Sequence, residues 1–182
     1  DKKGNKSFTT VNVSRGEIKT VEKKFDFLDP RKIKSKINNN AAALIIGIEN
    51  YENAFPAPYA ENDALAFNDF AFTSLGVPRS NIKLLTNEEA ERNDTLKILS
   101  KWLPQVVIEE ETDLYVYYSG HGLASEDGED LFLLPADGDP ELLEDSTLMR
   151  NELFSRISEL NPRSVTVFLD TCYSGATRTD EF

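Results

Sequence analysis

The 182-residue chain predicts an α/β fold, a mostly parallel sheet with helices on both faces. Three observations predict it. Short continuous apolar runs at residues 43–48, 114–118 and 165–169 read as buried strands, because a strand covered on both faces carries no polar alternation. Between the runs lie segments with helical apolar spacing and helix punctuation. Two of the runs lead into glycine-flanked polar residues, Ser119-Gly120-His121-Gly122 and Asp170-Thr171-Cys172-Tyr173-Ser174-Gly175. That placement is the carboxyl edge of the sheet, where open parallel sheets build their sites.

Residues 1–40 form a basic arm and linker. Thr9, Val11 and Val13, then Ile18, Val21, Phe25 and Phe27, read as one or two strands or an extended arm, and Pro30 opens a Lys/Ser/Asn-rich linker over 31–40. The main domain is read as 41–182. Ala43 to Ile48 is its first strand, and residues 49–61 are a loop carrying Pro56 and Pro58. A helix starts near Asn62-Asp63, which are good N-cap types, with Leu65, Ala66, Phe70 and Phe72 as its apolar positions. Gly76 and Pro78 end it.

Ile82 to Leu85 is the second strand. Asn93-Asp94-Thr95 starts the next helix, with Leu96, Leu99, Trp102 and Leu103 on one face. Asp113 to Tyr118 is the strand that delivers His121, and Leu131 to Leu134 is a short strand inside an acidic excursion over 125–145. Asn151 caps a helix through Leu160, striped by Leu153, Phe154, Ile157 and Leu160, and Pro162 closes it. Val165 to Leu169 is the last strand and delivers Cys172.

Composition narrows the function classes. Net charge is −12, but residues 1–36 carry 11 Lys/Arg against 5 Asp/Glu, whereas residues 37–182 carry 9 against 27. The basic arm reads as a solvated segment, and the acidic body argues against nucleic-acid binding and favours cationic substrates. No stretch reaches the roughly 18 apolar residues of a membrane helix. No signal peptide opens the chain, and one cysteine excludes an intrachain disulfide framework and fits a reducing cytoplasm. No Gly-rich phosphate loop follows a strand. The chain lacks an initiator Met and stops soon after Cys172, and it is read as a fragment or cleavage product.

His121 is the only histidine and Cys172 the only cysteine. A thiol attacks a carbonyl as thiolate, and with an unperturbed pKa near about 8.5 it needs a base at neutral pH. His121 can be that base and can then protonate the leaving amine. The tetrahedral oxyanion needs N–H donors, and the backbone N–H groups of Gly122 and Cys172 are the natural pair. Taken singly, a lone Cys is more often a small buried hydrophobe and a lone His more often structural. Their joint placement beside glycines at matching strand ends points to chemistry.

These two blocks, with Ile46-Gly47-Ile48-Glu49-Asn50-Tyr51 and Glu61-Asn62-Asp63-Ala64 before them, resemble the caspase/metacaspase superfamily of cysteine peptidases over about residues 41–178. The resemblance implies a caspase-like three-layer sandwich. It also implies a His121/Cys172 dyad, with the Gly122 and Cys172 N–H groups as oxyanion hole. Animal caspases carry Gln two residues before the nucleophile and cut after Asp, whereas this chain has Asp170 there and Asp63 where metacaspases keep an acidic specificity residue. Ser119 lines the same pocket by resemblance. Two carboxylates pair with Arg or Lys, Arg gaining bidentate geometry, so cleavage after Arg or Lys is expected. The plain alternatives are an N-cap for Asp63 and a backbone hydrogen bond for Asp170.

Thr171 and Tyr173 replace the Ser and His usual around a metacaspase cysteine, which implies a bacterial or otherwise divergent member. Metacaspases often need Ca²⁺. Glu126, Asp127, Glu129, Asp130, Asp137 and Asp139 are the acidic residues on offer here, without EF-hand spacing, and such runs are usually solvated loops. No metal or cofactor is assigned, and Ca²⁺ activation stays open. By resemblance the chain is the large-subunit part. Its partners are then its own small subunit, a peptide substrate with a basic residue before the scissile bond, and an activating protease or regulator. Gly175 to Asp180 would start the intersubunit linker, with Arg178 as a self-cleavage point. Two alternatives stand beside the endopeptidase: a catalytically silent scaffold of the same fold, and another thiol hydrolase or acyltransferase.

Overall fold

The computed structural model describes residues 33–175. The expectations for residues 1–32 and for Arg178 lie outside them. Residues 33–40 are less of a free linker than their composition implies: Ser35 donates its N–H to the Thr73 carbonyl and Asn38 to that of Gly76, at 2.9 and 2.8 Å.

Four parallel strands form the main sheet. They are β1 (Ala41–Gly47), β2 (Ile82–Thr86), β3 (Asp113–Ser119) and β7 (Ser164–Asp170), in the order β2-β1-β3-β7. β1 is buried along its whole length. Its residues alternate between two cores. Ala42, Leu44 and Ile46 face one, with Leu99, Leu103, Leu114, Val116, Leu153 and Ile157. Ala41, Ala43 and Ile45 face the other, with Ala64, Ala71, Val77 and Tyr117. At about 1.5–3 kcal/mol for each large aliphatic side chain removed from water, Leu44, Ile45 and Ile46 make β1 the spine of the domain.

The helices divide between the faces. α1 (Ala60–Thr73) covers the second core. The first is covered by α2 (Arg92–Lys97), which continues through a π-helical turn at Ile98–Trp102 into α3 (Leu103–Val106), and by α5 (Arg150–Ser158). α1 differs from its sequence reading. It begins at Ala60, its N-cap is Tyr59 in the left-handed region (φ 75°), and no side chain caps it. Asp63 therefore lies in its first turn and is not its cap. Its buried positions are Ala60, Ala64 and Ala71, while Leu65 is exposed. Small residues are needed there because the helix rides directly on β1: a Cβ at Gly47 would sit 2.3 Å from the Ala64 Cβ and 2.6 Å from the Ala60 carbonyl oxygen. The fifth helix likewise starts at Arg150, after Met149, and not at Asn151.

A second small sheet, of which the sequence pattern marked only the Leu131 strand, sits at the carboxyl edge of the first. Its strands are β4 (Gly122–Ala124), β5 (Leu131–Leu133), β6 (Leu148–Met149) and β8 (Tyr173–Gly175), in the order β6-β5-β4-β8, with a short α4 (Leu143–Ser146) before β6. Val165 to Leu169 is thus not the last strand, nor is it buried. Among the described residues β7 is a sheet edge, with most of its residues exposed, Val165 and Phe168 at 42% and 38%. Among the described residues no helix is long and apolar enough to cross a membrane.

Candidate active site

Strand register brings the two halves of the site together. β3 and β7 pair in parallel from Asp113↔Ser164 to Ser119↔Asp170. Past Ser119 the chain turns at Gly120, whose N–H donates to the Asp170 carbonyl at 3.3 Å, and pairing resumes between β4 and β8 at Gly122↔Tyr173. His121 and Cys172 are each the residue immediately before the resumed pairing, on neighbouring parallel chains. His121 is half-buried, Gly122 is buried as the first residue of β4, and Cys172 is exposed.

His121 is held from several directions. Its backbone N–H donates to the Tyr51 hydroxyl at 2.8 Å. Its carbonyl accepts from the Tyr118 hydroxyl at 2.7 Å and from the Leu134 N–H at 3.0 Å. The imidazole Nε2 lies 2.8 Å from the Phe55 carbonyl oxygen, and the ring tilts 35° against Tyr51 with centroids 4.8 Å apart. A carbonyl can only accept, so Nε2 carries the proton and Nδ1 is left with the free lone pair.

The expected pocket residues also converge. Ser119 at the end of β3 and Asp170 at the end of β7 both meet the Tyr117 hydroxyl, and the charge of Asp63 on α1 acts on it. That hydroxyl bonds with Ser119 and donates to Asp170 Oδ2 at 3.4 Å. Burial, together with the Asp170 and Asp63 charges, pushes the Tyr117 phenol up to about 12, against the opposing Ser119 bond. Asp63 and Asp170 are exposed, and Ser119 is buried. Beneath them the Tyr117 ring stacks on Phe67 at 4.4 Å and 17°, and Phe67 meets Phe168 at 5.1 Å. Two exposed carboxylates, Asp63 and Asp170, thus act on the same Tyr117 phenol, a charge pattern suited to a cationic group.

Tyr51, Tyr117 and Asn87 were missed at the level of sequence. Period-two alternation along β3 was the signal for Tyr117, since it must share a face with Ser119. Asn87 is buried at φ 47°, accepts the Glu49 and Asn50 N–H groups at 3.0 Å each, and donates to Glu61 at 2.9 Å. It ties the loop after β1 to the end of β2 and to α1. No local pattern marks it.

Three carboxylates of the acidic excursion accept hydrogen bonds from the chain. Asp127 accepts from Ser125 and the Glu129 N–H, Asp137 from the Arg92 N–H, and Asp139 from the Glu141 N–H. Among the described residues no three His, Cys, Asp or Glu side chains are grouped to hold a metal ion.

The chain has relatives among known proteins. A family model for the caspase domain matches residues 40–182. Metacaspase-1 of Eremothecium gossypii is 27% identical over 176 residues, a match that takes in 82% of this chain and 36% of that protein. The crystal structure of protein GSU0716 from Geobacter sulfurreducens superposes with a TM-score of 0.55 at 20% identity, covering 75% of this chain and 52% of the other, a likeness of fold. The chain spans only part of the length of either relative.

Proposed function

The chain belongs to the caspase domain family, and from that premise we propose that it is a cysteine endopeptidase cleaving after Arg or Lys. The observation that carries the proposal is the β3–β7 register, which supports it by bringing the backbone of His121 and Cys172 to the ends of neighbouring parallel strands, two residues past the Ser119–Asp170 pair. Nδ1 of His121 takes the Cys172 proton, and the thiolate sulfur adds to the scissile carbonyl carbon. The resulting oxyanion is met by the N–H groups of Gly122 and Cys172. The imidazolium then gives its proton to the departing amine as the C–N bond breaks. Water, deprotonated by the same nitrogen, hydrolyses the thioester and returns the thiol.

Asp63 and Asp170 bind the guanidinium or ammonium of the residue before the scissile bond, Ser119 adds a hydroxyl, and Tyr117 with Phe67 supports the aliphatic stem. The exposed apolar edge of β7 supports a further partner strand, the chain's own small subunit. Covering that edge would couple activity to assembly or proteolysis of a zymogen. A lone free thiol of this kind fits a reducing compartment such as the cytoplasm.

The test uses the full-length protein and matched fluorogenic peptides bearing Arg, Lys or Asp before the scissile bond, with and without Ca²⁺, beside Cys172→Ala. Cleavage after Arg or Lys that vanishes in the variant supports the proposal. Preference for Asp overturns the pocket. Failure of every peptide, with no covalent capture of Cys172, returns the silent scaffold.

A further inference from the structure

We infer that Tyr51 is the positioning residue of the His121 base, an inference that rests on the peptidase reading above. Tyr51 lies in the loop after β1 and does two separable things. Its hydroxyl accepts the His121 backbone N–H at 2.8 Å, which fixes the main chain just past Gly120. Its ring leans on the imidazole face at 4.8 Å, which fixes the side-chain plane. The same loop supplies the Phe55 carbonyl that holds Nε2. One short segment therefore sets both where the imidazole stands and which nitrogen faces outward.

The arrangement is built in from both sides. Tyr51 also bonds with the Tyr118 hydroxyl, which itself donates to the carbonyls of His121 and Leu134. Burial pushes the Tyr51 phenol up to about 12, so the hydroxyl stays neutral throughout the working range. Asn87 anchors the two residues before Tyr51 through their N–H groups. On the facing side Gly120 leaves room that no other residue could leave: a Cβ there would lie 2.4 Å from the Tyr51 oxygen. Misplacing a base by an ångström costs on the order of a hundredfold in rate, and these contacts restrict that movement.

Two variants of the full-length protein separate the two contributions. Tyr51→Phe keeps the ring and removes the acceptor, and kcat on an Arg peptide should fall roughly tenfold with KM changed less than about twofold. Tyr51→Leu removes both, and kcat should fall about a hundredfold or more. Because His121 is the only histidine, its ¹⁵N resonances report the tautomer without overlap and without any need for catalysis. The wild type and Tyr51→Phe should show the Nε2–H tautomer, and Tyr51→Leu a mixture. Unchanged tautomer and unchanged kcat in both folded variants would overturn the inference, as would a rise in KM alone. A tautomer change in Tyr51→Leu with a wild type that cleaves nothing would sink the peptidase reading and leave the positioning of His121 by Tyr51 standing.

Discussion

Ser119 and Asp170 are register partners across the β3–β7 ladder. Two residues beyond them stand His121 and Cys172. A single parallel pairing thus aligns a proposed pocket and a proposed dyad, and a slip of that pairing would misplace both.

The acidic pair should set specificity by charge. Asp170→Asn and Asp63→Asn should each lower kcat/KM for Arg peptides by about 1–2 kcal/mol in transition-state binding, since each removes one of the guanidinium's two charged partners while the other remains. Loss of hydrolysis of a small uncharged thiol-reactive ester in the same variants would place these residues in folding instead. Steady-state kinetics on both substrates decide it.

Gly120 should tolerate nothing larger. Its φ is +151°, and a Cβ added there would meet the Tyr51 oxygen at 2.4 Å, so Gly120→Ala is both strained and obstructive. The variant should lose about 1–3 kcal/mol of stability, and activity beyond that loss. Thermal unfolding and kcat measured together check it, and wild-type values in both would contradict the packing described.

The high-pH limb of stability should carry the signature of buried phenols. Tyr51 titrates at about 12 in the folded protein because burial opposes the phenolate, against about 10 unfolded. Its contribution is complete below pH 10 and is lost as pH rises toward 12, because the unfolded chain releases the proton first. The loss approaches about 2–3 kcal/mol. Tyr51→Phe should flatten that limb, as read by urea unfolding from pH 9 upward.

At the opposite end of the sheet, Asp113 forks with Arg163, accepts from Ser164 at 2.7 Å, and receives Asn38 at 3.1 Å. The Arg163 hydrogen bonds chiefly hold its carboxyl below the usual range against the opposing effect of burial, with Ser164, the Arg163 charge and Asn38 assisting. A depressed folded pKa gives stability that is present above about pH 4 and lost as pH falls through the folded value. Asp113→Asn should lower stability at neutral pH and weaken its acid dependence. An unaltered acid limb in denaturant titrations would show that this pair contributes nothing.

Much of this was legible in the sequence because it rests on strong local patterns. β1 and β3 carry dense apolar runs bounded by loop residues, and His121 and Cys172 stand alone of their kind beside glycines. Of the small second sheet only β5 was legible, in the apolar run from Leu131 to Leu134. Its strands are two or three residues long, too short for any periodicity, and their pairing is set by where β3 and β7 end. β7 was misread for another reason. Its apolar run matches a buried strand, but no described element covers its outer edge. The start of α1 was misplaced because Asn62 and Asp63 have capping chemistry, while the chain enters the helix through a left-handed Tyr59. Tyr51 and Asn87 act through loop contacts distant in sequence, which composition cannot reveal.

The most direct measurement of the central claim is covalent capture. The full-length protein would be treated with matched thiol-reactive peptides ending in Arg or in Asp, and the modified residue located by mass spectrometry in the wild type and in His121→Ala. We expect fast labelling of Cys172 by the Arg probe, little by the Asp probe, and strong slowing without His121. Equal labelling by both probes, unchanged by loss of His121, would contradict a base-activated thiol beside an acidic pocket.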